Sequence, residues 1–351
     1  MKILVSAQMK KGTFEAKFLP LSKVDIIEKI YILRREKGPT INKVDYIILP
    51  RICRISLFSL FIVPIYLLLY SIKIKPSYLI SYHIVPHAFF VYLVSKVVKV
   101  PFIVSQTGGK IQHQISNIFM RYWVLKILKK AKYINVPGYQ SKDFWIKQGI
   151  NRDKINVLHS TIDTDEFSPE DCIIKYDFIF VGNLTQRKQI DKIINAFYYV
   201  QKKVNETTLA IVGDGKQFKG LNDLVKKLEL KKNVFFLGFQ KDVIKYLMMS
   251  KIFVMASKIE GLPVALMEAM AVEKLVIAPL VDNIPSVLNE ETGIPYRSDR
   301  IDELSDKMLN ALSNFDNLSE LRKNARKIII KEYSNQSAIL KWKEILNEKD
   351  N

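Results

Sequence analysis

The sequence predicts an α/β chain built from two parallel-sheet units, and three observations predict it. Short apolar runs alternate with helix-length segments along all 351 residues, the pattern of strand-crossover-strand units rather than of hairpins. That length, at 48% hydrophobic content, exceeds what one core usually holds and suits two domains of about 150–200 residues. A polar stretch, Ser160–Pro169, separates the two series of runs. The boundaries read from these signs are 1–165 for a first α/β unit, 166–335 for a second, and a helix over 336–351 that packs across the domain boundary.

In order, the first half carries strands near 2–6, 45–49, 78–82, 101–105 and 132–136, and around 155–158. Met1–Ser6 reads as a strand and not as a signal peptide, because it lacks a long apolar core and a small-residue cleavage site. In the second half the apolar runs Tyr176–Val181, Leu209–Val212, Val234–Leu237, Ile252–Ala256 and Leu275–Ala278 are strands. Helices fill the intervals at roughly 187–202, 217–229, 240–248 and 263–272, the last opening with Pro263 at a first-turn position, where a missing N–H costs nothing. The two cysteines, Cys53 and Cys172, stand far apart without His or Cys companions at ligand spacing, so neither a disulfide framework nor a zinc site is indicated and a reducing cytoplasm is expected.

The net charge of +19 is unevenly spread. Residues 1–165 hold 26 Lys/Arg against 9 Asp/Glu, residues 166–351 hold 28 against 26, and residues 46–142 hold 13 Lys/Arg and no acid. Inside that acid-free stretch lies the apolar segment Ile55–Ile72, which admits three readings. A membrane-spanning helix is interrupted by Pro64 and three serines. A buried helix of an α/β domain and an interfacial attachment can coexist, the latter helped by Phe119–Tyr133, where Lys126, Lys129 and Lys130 share one side and Phe119, Trp123 and Ile127 another. An anionic membrane surface is therefore an expected partner. Nucleic acid is not, because no nucleic-acid-binding signature accompanies the charge.

In open α/β sheets ligands gather at the carboxyl ends of the strands, and the loops there carry the candidate chemistry. Glu260 stands just before the 263–272 helix and Glu268 within it, amid Leu266, Met267, Ala269 and Met270. A helix start offers unpaired N–H donors and a positive dipole end, so a sugar next to Glu260, a diphosphate at the helix start and a ribose on Glu268 would follow one another in order. The alternative, two solvated glutamates eight apart, is open on spacing alone. Gly182–Lys188 offers close backbone approach at Gly182 and cations at Arg187 and Lys188, Gly213–Gly215 a tight turn, and Gly238 with Phe239 a backbone edge and an aromatic cover for a base.

The ordered series Ser160–Asp163 with Phe167, Val181–Lys188, Ile211–Gly215, Val234–Gly238, Ser257–Ala271 and Ile284–Pro285 with Gly293 resembles the retaining glycosyltransferases of family 4, over about residues 155–345. The resemblance implies a GT-B fold, two Rossmann-like domains with parallel sheets facing an interdomain cleft. It also implies a nucleoside diphosphate sugar held mainly by the second domain, an acceptor approached by the first, no cofactor beyond the donor and no essential metal. It assigns Glu260 to the transferred sugar, the amides of Gly261, Leu262, Pro263 and Val264 to sugar and phosphate, Glu268 to the ribose and Lys188 to the phosphates. Gly182, Asn183, Arg187, Gly213, Gly238 and Phe239 complete the expected donor site.

Two departures stand out. Asn183 replaces a frequent arginine, and Asp282-Asn283 a frequent glycine pair. In the first half the loop Gln106–Gln112 has Thr107, followed by Gly108 and Gly109, about where the family has a histidine, while His83 and His87 follow another strand. These five are the acceptor-side candidates. The implied activity is metal-independent transfer of a sugar to a lipid-linked or membrane-proximal saccharide, as in cell-surface polysaccharide or glycolipid synthesis, at the inner face of the cytoplasmic membrane. A nucleotide-sugar epimerase or hydrolase of the same fold, or a non-catalytic membrane-attached nucleotide-sugar-binding protein, remains the alternative.

Overall fold

The structure is a computed structural model that describes residues 1–9, 11–54, 56–107, 115, 117–297 and 300–347. Two compact units make it up: residues 1–161 with the C-terminal helix Asn335–Asn347, and residues 162–334.

The first unit is a seven-stranded parallel sheet of β1 (Lys2–Ser6), β2 (Lys29–Arg34), β3 (Val44–Ile48), β4 (Tyr78–Tyr82), β5 (Phe102–Ser105), β6 (Tyr133–Val136) and β7 (Ile155–Val157). Its spatial order is β3-β2-β1-β4-β5-β6-β7. Both faces of the central strands are covered, which is why β1, β4 and β5 read as near-continuous apolar runs rather than as alternations, whereas the edge strand β3 exposes Asp45 and Ile48. Leu4, Leu79 and Val104 face a layer containing Leu67, Val91 and Leu128, whereas Ile3, Val5 and Ile80 face Phe14, Phe18, Trp342 and Ile345. The C-terminal helix thus belongs to the packing of the first unit, where each such fully buried large side chain contributes roughly 1.5–3 kcal/mol.

The second unit repeats the plan with six parallel strands: β8 (Tyr176–Val181), β9 (Leu209–Val212), β10 (Val234–Gly238), β11 (Ser250–Val254), β12 (Leu275–Pro279) and β13 (Ile294–Tyr296). They lie in the order β10-β9-β8-β11-β12-β13. In each sheet the chain starts centrally, winds one way, then returns to the other side of its first strand. The reversal falls between β1 and β4 and between β8 and β11, the position at which open α/β sheets commonly bind ligands.

Several expectations need correction. β2 and β13 were not foreseen: Lys29 and Arg34 bracket a run of only four apolar residues, and β13 is a three-residue strand containing Pro295. The 187–202 helix is in fact a 3₁₀ turn, Gln186–Lys188, then Gln189 in the left-handed region at φ 49°, then a helix over Ile190–Lys203. The 240–248 helix shrinks to Ile244–Met248. Pro263 is the cap, with extended backbone, and the helix runs Val264–Ala271.

The apolar segment forms a helix, Ser56–Ile74, that buries Ser59, Val63, Leu67 and Ser71 at four-residue spacing and turns Phe61, Ile65 and Leu69 outward. Among the described residues no helix is long and apolar enough to cross a membrane. Nor do the apolar residues of the Ile118–Lys130 helix share one environment, since Ile127 is buried and Phe119 exposed.

Candidate active site

The loops after β8, β9 and β10 are laced together through their backbones. Gly182 N–H donates to the Val212 carbonyl at 2.9 Å, Gly213 N–H to Gly238 at 2.8 Å and Leu184 N–H to Asp214 at 2.9 Å. Such closeness needs glycine: a Cβ on Gly213 would run into the Gly182 carbonyl, and φ there is 138°. Gly213→Ala is therefore expected to cost about 2–4 kcal/mol through overlap and backbone strain. Gly261→Ala, whose Cβ would meet nothing within 4 Å, should leave the melting temperature unchanged. Thermal unfolding of the two variants checks the contrast.

The reversal between β8 and β11 brings together side chains 72 positions apart. Glu260, 6% exposed, receives the Lys188 ammonium at 2.6 Å on Oε1 and has the Arg187 guanidinium 3.6 Å from Oε2. Arg187 also donates to the Ile259 carbonyl at 3.1 Å, and its own carbonyl accepts the Lys258 N–H at 2.9 Å. Burying a carboxylate this deeply is costly unless cations pair with it. The β12 loop closes the arrangement: Asp282 accepts the Glu260 N–H at 2.7 Å on Oδ2. Asp282 has φ 46°, a left-handed conformation that explains why glycine suits this position and that aspartate tolerates better than most residues.

Beyond Glu260, Pro263 caps the Val264–Ala271 helix without any side-chain acceptor, so its first-turn amides have no side-chain partner among the described residues. An anion at this helix start would meet free N–H donors and the positive dipole end, with Lys188 held nearby by Glu260. Glu268 lies one turn further on, partly buried. Burial, and secondarily the Glu166 carboxylate, pushes its pKa up to about 7. Asn183 is exposed, and Gly238, at φ 66°, leads into Phe239, which is 76% exposed and presents an open ring. The sequence reading did not single out Glu166, which stands in the acidic run with Asp163 and Asp165. It also missed what the Asp282 carboxylate does, although it noted the residue.

In the first unit the reversal between β1 and β4 gathers three of the predicted residues. His83 Nε2 donates to the Gln8 carbonyl at 2.8 Å, since a carbonyl can only accept, and Thr107 Oγ1 lies 2.6 Å from His83 Nδ1. In the neutral ring Nδ1 therefore accepts the Thr107 proton. His87 stands 6.0 Å away, ring to ring, with its Nδ1 2.8 Å from Ser6 Oγ. Burial first, then the charges of His83 and Arg35, hold His87 down at about 4, so it is neutral at pH 7. His83 adopts φ 79° and ψ 139°, a sparsely populated conformation of the kind that clusters at functional sites. Gly108 and Gly109 lie outside the described residues.

Residues 172–328 match the family model described as Glycosyl transferases group 1. An uncharacterized glycosyltransferase, MJ1059 of Methanocaldococcus jannaschii, is 38% identical over 133 residues, covering 37% of this chain and 32% of that protein. The UDP-Gal:alpha-D-GlcNAc-diphosphoundecaprenol alpha-1,3-galactosyltransferase of Escherichia coli is 27% identical over 201 residues, 50% of this chain and 51% of that one. The matches thus span only part of these relatives' own length. Among solved structures, Anabaena Alr3699/HepE in complex with UDP superposes with a TM-score of 0.80 at 14% identity, covering 99% of this chain and 100% of that chain. That likeness shows the fold, GT-B.

Proposed function

Because the chain belongs, through residues 172–328, to the Glycosyl transferases group 1 family, we propose that it moves a sugar from a nucleoside diphosphate sugar to a lipid-linked or membrane-proximal saccharide, with retention at the anomeric carbon. One observation carries the reading: Glu260 and Lys188 are paired at 2.6 Å at the switch point of the second sheet, beside a helix start without a side-chain cap. In use, the diphosphate takes over Lys188, Arg187 and the first-turn amides, and Glu260 is released to accept sugar hydroxyls. The bond from the anomeric carbon to phosphate oxygen breaks as the acceptor oxygen attacks from the same face. The acceptor's proton passes to a donor phosphate oxygen, and the cations stabilise the departing diphosphate. Glu268 takes the ribose hydroxyls and Phe239 covers the base. On the acceptor side, His83 held by Thr107, with His87 beside it, is the proposed contact.

UDP sugars are the first donors to try, because the Escherichia coli relative is named for one and the Anabaena structure holds UDP. The same relative's name supports a polyprenol-diphosphate saccharide as acceptor. Such a pair meets where a water-soluble donor reaches a lipid-held acceptor, at the cytoplasmic face of a membrane. The test is to screen nucleotide sugars for diphosphate release with and without a polyprenol-diphosphate saccharide. Acceptor-dependent release with a lengthened glycan supports the reading. Turnover without acceptor would point to the epimerase or hydrolase, and binding without turnover to the non-catalytic protein.

A further inference from the structure

We propose that the outer faces of the helices Ser56–Ile74, Phe89–Val98 and Ile118–Lys130 form one docking surface for an anionic lipid bilayer. The inference goes beyond sugar transfer and stands on exposure and charge alone. Along the first helix Phe61, Ile65, Leu69 and Ile72 point into solvent at three- and four-residue spacing, Phe61 at 68% exposure. The second helix, which packs beside the first, continues the apolar surface with Phe89, Leu93 and Val97. The third joins through Trp123, whose ring meets Phe89 edge-on at 6.0 Å, and adds exposed Phe119 and Tyr122. Scattered exposed apolar residues are ordinary, but three contiguous stripes are the mark of an interaction surface.

Charge identifies the occupant. All three helices fall within residues 46–142, which hold 13 Lys/Arg and no Asp/Glu. Each helix also carries a lysine whose ammonium lies over an aromatic ring of the same helix: Lys73 over Tyr70 at 6.0 Å, Lys96 over Tyr92 at 4.9 Å and Lys126 over Trp123 at 4.7 Å. A lysine in that posture keeps its stem against apolar surface and its charge at the rim, the arrangement suited to the headgroup boundary. A second copy of the chain would set lysine against lysine with no acid to offset them, which disfavours self-association through this face. A bilayer with anionic headgroups accepts both the apolar side chains and the cations.

The experiment is co-sedimentation of the full chain with vesicles of equimolar phosphatidylglycerol and phosphatidylcholine, compared with phosphatidylcholine alone. The expected result is binding to the anionic vesicles only, lost when ionic strength rises from about 0.05 to about 0.5 M. Phe61→Glu combined with Val97→Glu should lower partitioning about a hundredfold. Both positions lie outside the donor site, so binding of a UDP sugar without vesicles should be unchanged, and a failure of the donor reading would appear there independently. Three results would overturn the proposal: no binding by the parent chain, equal binding by the variant, or a dimer in sedimentation velocity that the two substitutions dissociate, which would make a second copy the occupant.

Discussion

Exchange of Lys188 for methionine is expected to lower the rate of sugar transfer by about 10²–10³-fold, the usual cost of removing one charge-stabilising donor from a poorly hydrated site. Glu260→Gln should lower it comparably. Methionine keeps the length of the lysine stem and removes only the charge, so the comparison isolates electrostatics. Each single change also disturbs the resting protein. Without Lys188, the cation left to the buried Glu260 carboxylate among the described residues is Arg187 at 3.6 Å, whose side chain is half exposed. Breaking a buried pair from one side costs up to about 3–5 kcal/mol, less what Arg187 recovers. The double variant, Lys188→Met with Glu260→Gln, restores neutrality and should regain most of the lost melting temperature while remaining inactive. If the pair were only structural, the double variant would regain activity together with stability, and that outcome would reject the catalytic assignment.

Why the double variant is needed follows from what the sequence alone could reveal. The strands were legible because parallel sheets covered on both faces demand unbroken apolar runs, such as Phe178–Val181 and Val276–Ala278. Glu260 and Lys188 were each visible as loop residues at strand ends. That they touch depends on β8 lying beside β11, a neighbourhood set by the return of the chain across its first strand and not by any local pattern. Asp282 illustrates the same limit. Its replacement of a glycine was readable, but its carboxylate's hold on the Glu260 amide depends on the β11 and β12 loops meeting. β2 was lost for a local reason, its short run bracketed by charge, and short apolar runs cannot be arbitrated by periodicity.

The second large effect is pH-dependent and centres on Glu268, whose pKa burial raises from 4.5 to about 7, with Glu166 adding to the shift. The folded protein therefore holds a proton that the unfolded chain releases between pH 4.5 and 7. Stability falls as pH rises through that window, and the full penalty, on the order of 3 kcal/mol at 1.36 kcal/mol per unit, is present above about pH 7. Glu268→Gln removes the penalty, so its melting temperature should exceed the parent's at pH 8 and converge with it near pH 4. A group that destabilises the empty protein at neutral pH has a use if its charged form meets a ligand, which is the trade expected where stability is given up for function. Ribose hydroxyls donate to an ionised carboxylate, so binding of an intact nucleotide sugar, whose phosphates do not titrate here, should tighten as pH rises through about 7 and release a proton below it. The glutamine variant should bind about 10- to 100-fold more weakly at pH 8 and lose the pH dependence. Calorimetry in buffers of different ionisation enthalpy counts the proton. A variant that is more stable at pH 8 yet binds with the parent's affinity and pH profile would leave Glu268 a buried acid with no part in holding the donor.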